Sequence, residues 1–529
     1  MPDIYSKTGS KSDKKAPSDG IIQNEFAASD DSDKGAIAQV EKGRTTDEID
    51  NAILKLNGHE AVLERRFSWV SALGLAFSIT NSWVGFLSNF GQNLIYGGPQ
   101  VVIFGLIVAF FAQYTITLGL SELASAYPSS GGQYHFCYIL APPKTKRFAA
   151  YITGWMSLLA WLLVTASGIS LAAVCTAGLV HFFHPEYEAA TWHIWLVYVA
   201  HITKTVKISL YLSLIGFVLW FIVALAMKQE SQPPSSITQS GLGTSGWPDR
   251  TAWLLGVSNA MYTFGGTDGV IHISEEIHQP GRRVPQVMSL TMFMGLLTSL
   301  PIFLVLMFYV RDLDALTSAP LASLEAIYQT TGSRVATSFL VIWLLSIYIT
   351  CLSAQWVTSG RIAWAFARDG GLPFSNYFSH IDERKAFPVR TTIAAFVFVC
   401  IYGLLYLAST TAFNSIVTSA VLFLNISFAI PQGILLFQGR NKLPTRYLNL
   451  GYLGYFCNGF AIVWIVVLGT TVCMPPSLPV SVGNMNYSSV CLVGLMSIVL
   501  LFWFTLGKNF RGPDIDWEGL RAANIASLT

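Results

Sequence analysis

Asp268 lies in the run Met261-Tyr-Thr-Phe-Gly-Gly-Thr-Asp-Gly-Val-Ile271, and of the 30 acidic residues it is the one placed centrally in a long apolar stretch. A carboxylate at that depth in a bilayer costs several kcal/mol unless it faces a cavity or a partner. Gly265, Gly266 and Gly269 surround it and are poor helix formers. A break in the helix is therefore expected, with Thr267 and Asp268 at its edge and Asp268 acting as a counter-ion or proton carrier. His272 follows four residues later, as a partner of this acid or as a hydrogen-bonded packing residue. A second segment of this kind is Gly74-Leu-Ala-Phe-Ser-Ile-Thr-Asn-Ser-Trp-Val-Gly85, where Ser78, Thr80, Asn81 and Ser82 crowd five positions. Such side chains bond to nearby backbone and compete with the helix, although they also serve as hydrogen-bonding glue between helices. No glycine lies between 75 and 84, so a glycine-rich amide cradle for a carboxylate is weak there. Trp83, Phe264, Tyr262, Trp161 and Trp356 offer aromatic faces instead, on which an ammonium gains about 0.5–2 kcal/mol per contact.

These residues must be carried by membrane-spanning helices. Of 529 residues, 52% are hydrophobic and 12% charged, where a soluble domain carries about 25% charged. The first 66 residues hold 23 of the charges, which leaves 39 for the other 463. So few cannot cover a water-facing surface, which excludes a soluble enzyme and a nucleic-acid partner. The seven Cys show neither metal nor disulfide spacing, no HExxH or His/carboxylate cluster is present, and no metal, cofactor or catalytic residue is expected. The fold class is an all-α polytopic membrane protein that has the lipid bilayer as a partner. Residues 1–66 are expected to be a disordered cytoplasmic tail, with 47–63 as a possible short amphipathic helix.

Apolar runs from Trp69 onward suggest 12 spans, near 69–95, 99–124, 149–180, 192–203, 208–227, 252–274, 286–310, 334–358, 389–408, 413–437, 450–473 and 488–507. One set of loops carries 15 Lys/Arg and the opposite set four. The rich side is assigned to the cytoplasm, together with both termini. Span four is abnormally short: 12 residues make about 18 Å of helix against a core of roughly 30 Å. The favoured explanation is a chain lacking residues near 192–207. Spans one and six open two possible five-span halves, 67–227 and 250–437, followed by spans 11 and 12 in 449–508 and a tail at 509–529. Interrupted helices at matching places in two halves mark the site of a secondary transporter. Glu122 at the end of span two, and Glu275 and Glu276 at the end of span six, share the basic side with Arg282, Arg283, Arg361 and Arg368. Pairs among them would close an inner gate.

Three separated motifs carry a resemblance. Ser121-Glu-Leu-Ala-Ser-Ala-Tyr-Pro128 with Gly131-Gly-Gln-Tyr134 resembles the loop after span two of the amino acid/polyamine/organocation superfamily. Ile273-Ser-Glu-Glu276 with Pro280 and Arg283-Val-Pro285 resembles its stretch after span six, and Arg361 to Pro373 its loop after span eight. Thr80-Asn-Ser-Trp83, Ala141-Pro-Pro-Lys144 and the segment Pro479 to Tyr487 are similar to fungal amino acid/choline transporters, choline permeases above all. The resemblance implies a LeuT-type 5+5 inverted repeat with two further helices. It also implies plasma-membrane uptake of a small-molecule substrate, choline before an amino acid such as γ-aminobutyrate or a polyamine, with a proton as possible co-substrate. A nutrient sensor that binds without transporting is the reading from another class.

Overall fold

A computed structural model of the chain describes residues 46–200 and 209–519, apart from 383, 385–386, 406–409 and 482–483 and the side chains of 410–418. Among these residues the only extended pairings are isolated bridges, Phe67 with Ile277 and Asp382 with Phe387. The rest of the regular structure is helical, because a backbone in lipid has no hydrogen-bond partner but itself. Eight stretches among the described residues are long and apolar enough to cross a membrane.

A short helix α1 (Thr46–Leu56) precedes the first of them. Helices α2 (Trp69–Thr80) and α3 (Ser82–Ala126) follow each other as one run of 58 residues. At 1.5 Å per residue that run is about 87 Å long, roughly twice a bilayer, and it folds back at Gly97-Gly98, where helical geometry is lost. Gly98 has φ +71°, and a Cβ there would come within 2.8 Å of Leu242, so only glycine serves at this turn. The two limbs correspond to the spans expected at 69–95 and 99–124.

After α4 (Gln133–Leu140) come α5 (Lys146–Phe183), α6 (Thr191–Ala200), α7 (Ser209–Ala226) and α8 (Asp249–Ala260). Two short 3₁₀ segments, Met261–Phe264 and Thr267–Glu276, continue α8. Then follow α9 (Pro280–Tyr309), α10 (Arg334–Arg368), α11 (Val389–Gly403), α12 (Thr410–Gln438), α13 (Gly451–Val472) and α14 (Ser488–Leu506). The core forms where α3 meets α8 and α9, and where α5 meets α10 and α12. Helix α14 buries only Ser488 and Val499. Where a short fourth span is expected lies α6, whose 10 described residues rise about 15 Å; residues 201–208, with Lys204 and Lys207, lie outside the described residues.

The tail departs from expectation. Residues 1–45 lie outside the described residues, but from Thr46 the chain is folded rather than disordered. Leu54, Asn57, His59 and Leu63 are all buried. The apolar spacing of α1 supplies one face, and the Asn57 carbonyl, bonded to His135 of α4, with His59, bonded to Ser129 and Asp369, holds the rest. Residues 509–519 also pack, with Phe510 and Ile515 buried, and 520–529 are outside the described residues.

Candidate functional site

Both expected breaks occur, and they meet. Helix α2 ends at Asn81, a left-handed residue (φ 32°, ψ 54°), and α3 starts at the next residue. The Thr80 hydroxyl donates back to the carbonyls of Ala76 and Phe77, 3.3 Å from each, as expected of a side chain that competes with the helix. Helix α7 fixes the break from outside: Ser213 Oγ donates to Asn81 Oδ1 at 2.6 Å and accepts from Trp83 Nε1 at 3.0 Å. In the other segment Gly265 is extended and Gly266 left-handed (φ 78°). A Cβ on Gly266 would lie 2.9 Å from Ile79 Cγ2, so this glycine lets the two broken helices touch. The Phe67 amide, just before α2, donates to the Glu276 carbonyl at 3.0 Å and ties the far ends of the same two elements.

A cavity of about 50 Å³ lies between the breaks, lined among others by Thr80, Asn81, Tyr262, Gly265, Tyr348 and Gln355. Among its lining residues none is charged. Two polar atoms of that lining, Asn81 Nδ2 and Gln355 Oε1, are buried without a hydrogen-bond partner. Leaving such groups unmade costs about 1–3 kcal/mol each, so a polar occupant would be held here. The hydroxyls of Tyr262 and Tyr348 are engaged with Ser167 Oγ and the Val84 carbonyl, both at 3.0 Å, which fixes their rings at the wall. The C-terminal carbonyls of α2 and the first amides of α3 flank the same point, so opposite dipole ends are presented to one ligand.

Other residues expected in the site lie around the cavity rather than in it. Trp83 packs edge-on against Trp220, Phe264 against Phe110, and Trp356 beside Phe396. Ser78 and Ser82 are buried with unpartnered hydroxyls, and Thr267 meets Thr117 at 3.4 Å between hydroxyl oxygens. Asp268, expected to face an ammonium, is wholly buried among protein groups. Its Oδ2 accepts from Gln133 Nε2 at 2.7 Å and Trp161 Nε1 at 3.1 Å, and lies 3.3 Å from His272 Nε2. Gln355 and Tyr348 were not singled out from the sequence, and Gln133 only as part of a loop motif without a site role. The available signal was an amide within an apolar run, as in Leu352-Ser-Ala-Gln355.

The basic side is closed by buried ion pairs. Glu276 takes Arg361 in a two-pronged pair at 2.7 and 2.9 Å, and Glu275 takes Arg368 at 3.0 and 3.1 Å. Glu122 pairs with neither Arg282 nor Arg283. It takes Arg440, and Arg446 at 2.6 Å, both from the loop after α12. Outside the spans, burial raises the Asp369 carboxyl, but His59, Arg368 and the Tyr134 hydroxyl outweigh it and hold it below the usual carboxylate range.

Residues 67–497 match the amino acid permease family. The chain belongs to this family. A choline transporter of Saccharomyces cerevisiae is 31% identical over 511 residues, covering 93% of this chain and 90% of the relative. A swainsonine transporter of Arthroderma benhamiae is 26% identical, covering 89% and 97%. A 7-keto 8-aminopelargonic acid transporter of Saccharomyces cerevisiae is 24% identical, covering 84% and 93%. The permease is accordingly a multi-pass membrane protein whose relatives carry small molecules, as its three motifs suggest.

Proposed function

We propose that this permease is a secondary transporter importing a small organocation, choline or a close analogue, by alternating access across the plasma membrane. The observation that carries the reading is the cavity at the meeting of two broken helices, walled by Tyr262 and Tyr348, with orphaned amide groups and no charged side chain. Tyrosine faces and the carbonyl end of α2 suit a quaternary ammonium. The relative named a choline transporter covers nearly the whole chain. A volume of about 50 Å³ admits only a few waters, each needing about 10–15 Å³. The cavity is thus a contracted form of the site, and rocking of one five-span half against the other would enlarge it.

In this reading the chain has 12 spans in a LeuT-type inverted repeat, α6 being the fourth. The basic side and the N- and C-terminal segments are cytoplasmic, and the three carboxylates with their arginines form the inner gate. Membrane potential favours entry by about 2.3 kcal/mol per charge per 100 mV. One observation favours a second substrate: the first amides of α3 open at Asn81 and would receive a carboxylate, as of γ-aminobutyrate. Uptake of radiolabelled choline by cells expressing the chain separates the readings. Saturable accumulation unaffected by excess γ-aminobutyrate is the expected result. Competition by γ-aminobutyrate would assign the amino acid, and binding without accumulation would make the protein a sensor.

A further inference from the structure

His272 lies between two hydrogen-bond acceptors. Its Nδ1 is 3.0 Å from the Ser130 carbonyl, and its Nε2 is 3.3 Å from Asp268 Oδ2. A carbonyl oxygen only accepts, so Nδ1 carries a proton. An ionised carboxylate also only accepts. The contact at Nε2 therefore needs a second proton, either on Nε2 opposite an ionised Asp268 or on Asp268 opposite a neutral ring. In both arrangements the pair holds two protons and is neutral overall, as a wholly buried site in a membrane requires. With one proton fewer, two lone pairs face each other and a net negative charge is buried with only the neutral Gln133 and Trp161 donors on it.

We propose that the Asp268–His272 pair is the proton-binding site that couples transport to the proton gradient. This rests on the transport reading above, and deepens it. The groups bonded to the pair are neutral: the Trp161 indole of α5 and the Gln133 amide on Asp268, and the Ser130 carbonyl on His272. The nearest ionised groups along the loop are Glu275 and Arg368, bonded to each other.

The same loop gives the pair a route to the gate. Ser130 receives His272 on its carbonyl and donates its amide to Glu275 Oε1 at 3.0 Å. Gln133, three residues on, holds Asp268. Loss of the proton breaks the contact of His272 with Asp268 and leaves the ring held from the Ser130 side alone, so Ser130, and through its amide the Glu275–Arg368 pair, loses a support. The proton enters with substrate from outside, resides on the pair, and leaves to the cytoplasm as the gate opens.

Proteoliposomes of the purified full chain test this with labelled choline. Counterflow without any gradient reads transport itself. Accumulation under an imposed pH gradient, acid outside and membrane potential clamped at zero, reads coupling. The natural chain is expected to do both. Asp268→Asn and His272→Gln are expected to keep counterflow and lose accumulation; should one variant fail to fold, the other decides. Variants that still accumulate under the pH gradient overturn the proposal, as does a natural chain that exchanges choline but ignores the gradient. Absence of counterflow in the natural chain overturns the transport reading instead, and the coupling with it.

Discussion

Two residues carry most of what the cavity can do for a cation. Tyr262 and Tyr348 have their hydroxyls bonded away from the cavity, to Ser167 and Val84, so an ammonium would meet the rings. Tyr262→Leu keeps apolar volume and removes the π face. At about 0.5–2 kcal/mol per contact this raises the KM for choline roughly 2- to 30-fold, measured by uptake at varied choline; an unchanged KM would place the cation elsewhere. The gate pairs behave differently, because both members are buried. Arg361→Ala strands Glu276, with an expected loss of about 3–5 kcal/mol, whereas the double variant with Glu276→Ala recovers much of it. Thermal unfolding of the detergent-purified variants measures both. The legibility of these residues follows from cost. Asp268 and the glycines of span six stand out in the sequence because nothing in lipid tolerates them without a reason. Gln355 does not, since one amide in an apolar run has many packing roles, and Gln133 enters only as part of the Gly131-to-Tyr134 loop motif. Arg440 and Arg446 were missed as partners of Glu122 because they lie 318 and 324 residues away, and only the packing of α3 beside the loop after α12 brings them together.

Most helices were legible as apolar runs, and the breaks were legible as composition, but their contact was not. That Ile79 of α2 rests on Gly266 and Gly269 depends on how two distant helices cross. A short fourth span is expected from the sequence, and a helix, α6, lies there. The described part of α6 rises about 15 Å, and the sequence run 192–203 would rise about 18 Å against a hydrocarbon core of roughly 30 Å. Insertion of eight to ten apolar residues between positions 200 and 209, about 12–15 Å of further helix, is therefore expected to raise surface expression and uptake, read by surface labelling and choline accumulation. No gain would show that α6 suffices as it stands. Element α4 carries a pH response. His135 is buried, and that burial, with His59 beside it, holds its imidazole down to about 3 from the usual 6.5. Once α4 comes loose the ring takes a proton below pH 6.5, while in place it stays neutral. Proton binding by the loosened state then lowers stability progressively as pH falls from 6.5 toward 3, and leaves it level above 6.5. The unfolding midpoint should decline over that window in the natural chain and decline less in His135→Gln.

At the scale of the whole molecule, the two terminal segments close over the same face. Asp516 donates its amide to the Leu56 carbonyl at 3.2 Å, and Gly58 lies directly against the Asp514 backbone. Arg147 holds the carbonyls of Gly507 and Phe510, and the Gly512 amide reaches the Asp369 carbonyl at 3.2 Å. From the other tail, His59 bridges Asp369 at 3.3 Å and the Ser129 hydroxyl at 3.2 Å. Asp369 is the residue after Arg368, and Ser129 the residue before Ser130, so both strands of the Glu275 gate are anchored by one imidazole. In the proposed transport cycle, opening the gate would move Arg368, and with it strip His59 from Asp369 and shift Gly512. The tails would then act as a load on opening rather than as passive appendages. A hydrogen bond to a charged group is worth about 1.5–3 kcal/mol, which bounds the effect of His59→Ala at roughly 10- to 150-fold on the opening equilibrium. If opening limits transport, the variant takes up choline faster at saturation while unfolding at a lower temperature. A lower unfolding temperature with an unchanged rate would reduce the tails to a structural role. A slower rate would mean that the imidazole is needed to align the gate, and not to restrain it.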